Sequence, residues 1–187
     1  MTCIVGLVEN NTVYMGGDSA GVAGLDVSPR VDEKVFLVGN RFLIGITGSF
    51  RMGNLLRFSL KVPVQKRNQQ DFEYMCTTFI DTVRRCFTKG GFLAKDSGDG
   101  GREAGEQFLV GYRGMLYGVD VDFQVGINAR GFDAVGCGGD FAQGALFATR
   151  GLGMLSRKRV ELALQAAVEF SGGVRPPFIL LELKKNY

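Results

Sequence analysis

Thr2 carries a hydroxyl, and removal of Met1 would leave a free α-amine on the same residue. An α-amine ordinarily titrates at about 7.7 to 8.0, close to neutral pH, so it can act as a general base toward its own hydroxyl. The chain contains no histidine, the most common side-chain base. Lys34 offers an ammonium that would lower the pKa of the threonine hydroxyl, and Asp18 a carboxylate that would keep this lysine charged and aimed. Thr47-Gly48-Ser49 stands where an apolar run gives way to a helical pattern, and its backbone N–H groups can face a developing oxyanion. Taken singly, Asp18 also suits a turn aspartate bonding its own backbone, and Lys34 an ordinary surface lysine.

These residues need strands to bring them together. Between Thr2 and Gly48 lie apolar, β-rich runs separated by Asn10-Asn11, a glycine-rich excursion and Gly39-Asn40. Both Asn10-Asn11 and Gly39-Asn40 suit tight hairpins. With Asn10-Asn11 as a two-residue loop, Glu9 pairs with Thr12, and the ladder brings Asp18 within one pairing position of Thr2. Lys34 then falls on a third strand. Cys3 to Val8 is apolar at every position, as in a strand covered on both faces.

From Ser49 the period changes. Met52, Leu55, Leu56 and Leu60 follow helical spacing, with Ser49 as cap and Pro63 as stop. Phe72, Met75, Cys76, Phe79, Ile80, Val83 and Phe87 form one long apolar stripe that closes at Gly90-Gly91 and reads as a core face. Residues 90–105 read as a surface loop, and Asp96 and Asp99 do not occupy the ligand positions of a calcium loop. Strands are predicted over 107–112, 115–120 and 121–127, with a hairpin turn at Arg113-Gly114. Asp140 is placed to cap one helix and Ser156 to begin another, and a strand is predicted over 177–183. The order of strands, two helices, strands, two helices and a strand predicts an α+β four-layer αββα sandwich.

At 187 residues and 45% hydrophobic content, the chain fits one domain spanning 1–187. Its 22 basic and 19 acidic residues give a net charge of +3, too balanced for a nucleic-acid footprint. Cys3, Cys76, Cys86 and Cys137 show neither a C-x-x-C pair nor zinc-site spacing, so reduced thiols in a cytoplasmic protein are expected, with no metal and no cofactor. No signal sequence or membrane-spanning run is apparent. The missing histidine excludes a Ser-His-Asp triad and an H-E-x-x-H metalloprotease.

The combination of Thr2, Gly17-Asp18, Lys34 and Thr47-Gly48-Ser49 resembles the catalytic β-subunits of the proteasome and bacterial HslV, which are N-terminal nucleophile hydrolases. The resemblance implies that Thr2 is the nucleophile and, through its amine, the base. It makes Lys34 the tuning cation, Asp18 its orienting partner and Gly48 the oxyanion donor, and it implies the same αββα fold. Phe36, Ile46 and Phe50 fall near positions that line the specificity pocket in that family, which suggests apolar residues before the cleaved bond. It further implies polypeptide substrates, a ring or stacked rings of subunits, and an ATP-dependent unfoldase of the AAA+ class as partner.

The run Phe132 to Ala142 resembles the family segment in which a glycine-bracketed serine lies beside the nucleophile, and here that position holds Cys137. A thiol is the weaker hydrogen-bond partner, and Cys137 also suits a small packed residue among glycines. Ser171-Gly172-Gly173 resembles the family's late serine-glycine-glycine turn, whose preceding aspartate is replaced by Val168. Two other readings stay open: an N-terminal nucleophile amidase acting on a small-molecule amide, and a ring-forming homologue that has lost activity.

Overall fold

The structure is a computed structural model and describes residues 1–93 and 105–185. The predicted loop with Asp96 and Asp99 lies largely outside the described residues. In chain order the strands are β1 (Ile4–Glu9), β2 (Thr12–Gly17), β3 (Ala20–Ala23), β4 (Asp26–Pro29), β5 (Val35–Val38), β6 (Phe42–Ile46), β7 (Phe108–Tyr112), β8 (Met115–Val119), β9 (Val125–Gly126), β10 (Phe132–Val135) and β11 (Ile179–Lys184). The helices are α1 (Phe50–Phe58), α2 (Asp71–Tyr74), α3 (Ile80–Lys89), α4 (Gly139–Ala148) and α5 (Ser156–Phe170), with a π-helical stretch Met75–Phe79 joining α2 to α3.

Two antiparallel sheets stack face to face. One has the order β10-β1-β2-β11 and the other β5-β6-β7-β8-β9. Ile4, Val13, Met15, Val35, Leu43, Leu109, Leu116 and Leu183 fill the space between them. Close approach depends on glycine: a Cβ at Gly17 would stand 2.8 Å from Ile4 and 2.9 Å from Val35. Helices cover both outer faces. Met52, Leu55, Leu56, Met75, Phe79, Val83 and Phe87 pack on one sheet, and Ala142, Leu146, Val160, Ala163, Leu164 and Ala167 on the other. This is the αββα sandwich predicted from the order of elements. It explains the all-apolar run Cys3 to Val8, whose two faces meet different cores.

The register follows from the turns. Asn10 and Asn11 adopt φ of 50° and 56°, the left-handed pair that a two-residue hairpin of this twist requires, and Glu9 pairs with Thr12 as predicted. Arg113-Gly114 makes the same kind of turn in the second sheet, whereas Gly39-Asn40 supplies the left-handed pair of a three-residue loop in which Val38 pairs with Phe42. Ser49 caps α1, its hydroxyl accepting from the Met52 N–H at 3.3 Å.

Several boundaries differ from the sequence reading. Helix α1 ends at Phe58, before Pro63, and the N–H groups of both Ser59 and Leu60 turn back to the Leu55 carbonyl. Phe72 is 47% exposed and leaves the apolar stripe. The excursion over 20–29 is a separate hairpin, β3–β4. Only Val125–Gly126 of the predicted 121–127 strand is extended, because Phe123 takes φ of 67° and the Asp120 N–H bonds the Gln124 carbonyl. Asp140 lies inside the first turn of α4 and makes no cap bond, whereas α5 does begin at Ser156, whose hydroxyl bonds the Glu9 carboxylate across the helix–sheet interface.

Candidate active site

The ladder between β1 and β2 pairs Ile4 with Gly17, so the next step sets Cys3 opposite Asp18, and the Asp18 N–H donates to the Cys3 carbonyl at 3.3 Å. Lys34 immediately precedes β5, whose pairing of Val35 with Gly45 points it at the same corner. Thr2, Asp18 and Lys34 are all buried, at 4%, 1% and 3% exposure. The sequence-predicted set is therefore assembled.

The Lys34 ammonium donates to Thr2 Oγ1 at 3.1 Å and to Asp18 Oδ1 at 2.9 Å. Asp18 is held by backbone: Oδ1 accepts from Cys3 N–H at 3.0 Å, and Oδ2 from Ala20 N–H at 2.9 Å and Arg175 N–H at 3.4 Å. A buried carboxylate with four donors stays fixed, and a fixed carboxylate holds its lysine fixed. Burial pushes the neighbouring Cys3 thiol up to about 12, with the Asp18 carboxylate adding to the rise. Cys3 is thus a packing residue and no rival nucleophile.

Cys137 occupies the position beside the Thr2 nitrogen. The Thr2 N–H donates to Cys137 Sγ at 3.3 Å, the Cys137 thiol reaches the Thr2 carbonyl at 3.4 Å, and the Ser171 hydroxyl stands 3.4 Å from the same sulfur. The Gly138 N–H donates to the Thr2 carbonyl at 3.3 Å, so the glycine-bracketed run grips the residue from one side. Gly136 sits at φ of 93°, where its bare Cα lets the chain pass close to Thr2. Ser171 ends α5 and is 9% exposed, while Val168 packs at the edge of the helical core and Glu169 is exposed.

Gly48 adopts φ of 64° in the turn between β6 and α1. The turn is pinned through Thr47, whose N–H and hydroxyl both donate to the Gln107 carbonyl, at 3.2 Å and 2.6 Å. The Glu106 carboxyl lies against Gly48, 2.5 Å from where a Cβ would stand. Phe36 and Ile46 are 3% and 4% exposed in the core beneath α1, and half-buried Phe50 has the Arg30 guanidinium 4.2 Å above its ring.

With Met1 in place, the Thr2 hydroxyl donates to the Met1 carbonyl at 2.6 Å, and Met1 is 53% exposed with its side chain over Gly173. A cleft of about 470 Å³ opens on the far side of Gly136, lined by Gln107, Asp120, Asp133 and Asp140. Burial pushes the Asp133 carboxyl up, offset in part by the Ala134 N–H.

Sequence reasoning missed Arg175, Gln107 and Glu106. Each reaches the site from an element distant in the chain, and none belongs to a motif with a fixed spacing. Among the described residues, no group of three or more His, Cys, Asp or Glu stands together as a metal set, and no helix is long and apolar enough to cross a membrane.

Two stacked antiparallel sheets between helical layers are the fold of HslV/proteasome-type proteins. The chain is similar to Thiobacillus denitrificans BPH, with a TM-score of 0.80 and 20% identity over 99% of each chain. It matches Thiobacillus denitrificans BPH in complex with epoxomicin at a TM-score of 0.79 and 18% identity over the whole of both chains. Eukaryotic HslV from Trypanosoma brucei gives a TM-score of 0.70 and 19% identity over 98% of this chain and 99% of that one. No protein-family model matches the chain, and no curated protein does.

Proposed function

We propose that this chain is a threonine-type endopeptidase subunit whose nucleophile, Thr2, is freed by removal of Met1. The Thr2 α-amine takes the hydroxyl proton as Oγ1 attacks the carbonyl carbon of a peptide bond. The C–N bond then breaks, the proton passes to the departing amine, and an ester remains on Oγ1. Water attacks that ester with the same amine as base, regenerating the hydroxyl and releasing the new carboxyl terminus. The Gly48 N–H receives the oxyanion, and Lys34, held by Asp18, stabilises negative charge on Oγ1. Cys137 and Ser171 orient the amine.

The observation that carries this reading is the Lys34 ammonium 3.1 Å from Thr2 Oγ1 inside a buried cradle. A lysine buried against a carboxylate costs desolvation that a structural role alone does not require. The likeness in fold to a structure holding epoxomicin supports it. Treatment with an epoxyketone, followed by peptide mapping, tests it: the adduct is expected on Thr2, and an adduct elsewhere or none would overturn it.

The assembly that suits such a peptidase is a ring or stacked rings of this chain, enclosing the Thr2 sites, with an AAA+ unfoldase supplying unfolded polypeptide. Light scattering of the purified chain measures the first part. A preference for apolar residues before the cleaved bond is proposed with Phe50, half-buried at the start of α1, as the contact and Phe36 and Ile46 in the core as its support; a fluorogenic peptide panel preferring acidic or basic residues would sink that assignment.

A second reading is a ring-forming homologue without activity. It is favoured by the 2.6 Å bond between the Thr2 hydroxyl and the Met1 carbonyl, which ties up the hydroxyl while the amine is blocked as an amide. Retention of Met1 in the purified protein, with no hydrolysis, would establish it.

A further inference from the structure

We infer that a second cavity, at the sheet ends opposite Thr2, is a binding site for a small phosphate monoester. The strands that place Lys34 and Thr47 at one end carry their hairpin turns at the other. From Val35 to Gly39 and from Phe108 to Tyr112 the chain runs roughly 13 Å away from the threonine corner. There, a cavity of about 210 Å³ opens between the β5–β6 turn, the β7–β8 turn and the end of β11. Arg41, Arg113 and Lys184 line it, together with Tyr112, Val64 and Leu183.

Two of the cations are placed by the turns. Arg41 and Arg113 follow from turns whose left-handed residues Gly39, Asn40, Arg113 and Gly114 fix the backbone. Their guanidiniums bracket a stacked aromatic pair. The Arg41 guanidinium lies 5.4 Å from the Phe42 ring centre, Phe42 stacks on Tyr112 at 4.7 Å, and the Arg113 guanidinium lies 5.7 Å from Tyr112. Arg41 also donates to the Val62 carbonyl at 2.8 Å.

Charge is left over. Arg113 pairs with Asp71 at 3.1 Å, and that carboxylate also accepts from Gln65, whose own amide oxygen accepts from the Tyr112 hydroxyl at 2.8 Å. Among the described residues no carboxylate stands within ion-pair distance of Arg41 or Lys184. Three cations less one carboxylate leave a double positive charge, which matches the roughly −1.5 to −2 of a phosphate monoester at neutral pH. Guanidiniums bind phosphate oxygens through paired donors, and the apolar wall of Val64 and Leu183 suits a small organic group on the ester oxygen.

Calorimetric titration of the full chain in a phosphate-free buffer tests this, with inorganic phosphate and glycerol 2-phosphate as probes and succinate at matched ionic strength as the dicarboxylate control. Both phosphates should bind saturably at one per chain, and succinate at least tenfold more weakly. Arg41→Gln and Lys184→Gln should each weaken phosphate at least tenfold; the second alters an exposed residue at a strand end, so folding is not at stake. No saturable phosphate binding, unchanged affinity in the Lys184→Gln protein, or succinate binding as tightly as phosphate would overturn the assignment.

Discussion

Lys34 Nζ stands 3.1 Å from Thr2 Oγ1 and 2.9 Å from Asp18 Oδ1, and the lysine and aspartate side chains are 2% and 0% exposed. Removing one partner leaves the other charge buried and uncompensated, a change that costs about 3 to 5 kcal/mol. Lys34→Ala should therefore lower unfolding stability by that order and abolish peptide hydrolysis. The double change Lys34→Ala with Asp18→Ala should recover part of the stability and none of the activity. Chemical denaturation and a peptide assay on the three proteins check both halves.

Cys137 Sγ lies 3.3 Å from the Thr2 nitrogen and is exposed among the free thiols, whereas Cys3 is buried with its thiol pushed up to about 12. A thiol-alkylating reagent should label Cys137 and leave Cys3 untouched in the folded protein, and activity should fall in step with labelling. Cys137→Ser supplies a stronger hydrogen-bond partner to the nucleophile's nitrogen, so it should match or exceed the parent rate severalfold and resist the reagent. Mass spectrometry after limited alkylation gives the first result and kinetics the second.

Gly48 combines φ of 64° with a Glu106 carboxyl 2.5 Å from the place of a missing Cβ. Gly48→Ala forces either the turn or the glutamate to move, and a displaced oxyanion donor costs about 10²- to 10³-fold in kcat. Adding Glu106→Ala removes the collision and leaves the φ penalty, so it should restore part of the rate. KM should change little in either protein.

Tyr74 is fully buried, its hydroxyl donates to the Pro63 carbonyl at 2.7 Å, and burial raises its pKa from 10.0 to about 12. The folded state holds the proton longer than the unfolded chain does. This stabilisation is complete below pH 10 and is lost as pH rises toward 12. Tyr74→Phe should cost about 1 kcal/mol at neutral pH through the lost hydrogen bond and show a shallower alkaline decline. Melting temperatures from pH 8 upward would reveal the crossover.

Much of the candidate site was legible because hairpin arithmetic is rigid. Once Asn10-Asn11 fixes the loop, pairing in steps of one residue sets Asp18 beside Thr2 with no further information. The β3–β4 hairpin escaped notice because β4 is exposed throughout and carries no apolar alternation. The strand predicted over 121–127 failed because a left-handed residue at Phe123 interrupts it, which an aromatic side chain does not announce. Arg175, whose N–H reaches the Asp18 carboxylate across 157 positions of sequence, leaves no local trace, and neither does the contact between Glu106 and Gly48.

The account stands on Thr2 becoming the first residue and then acting through its own amine. The most direct test is intact mass of the purified protein, before and after an epoxyketone, with the adduct mapped by peptide sequencing. The account predicts a chain one methionine short that gains one inhibitor molecule on Thr2, and a Thr2→Ala chain that gains none and hydrolyses nothing. A chain that still begins with Met1 while it cleaves peptides, or undiminished hydrolysis by Thr2→Ala, would contradict it.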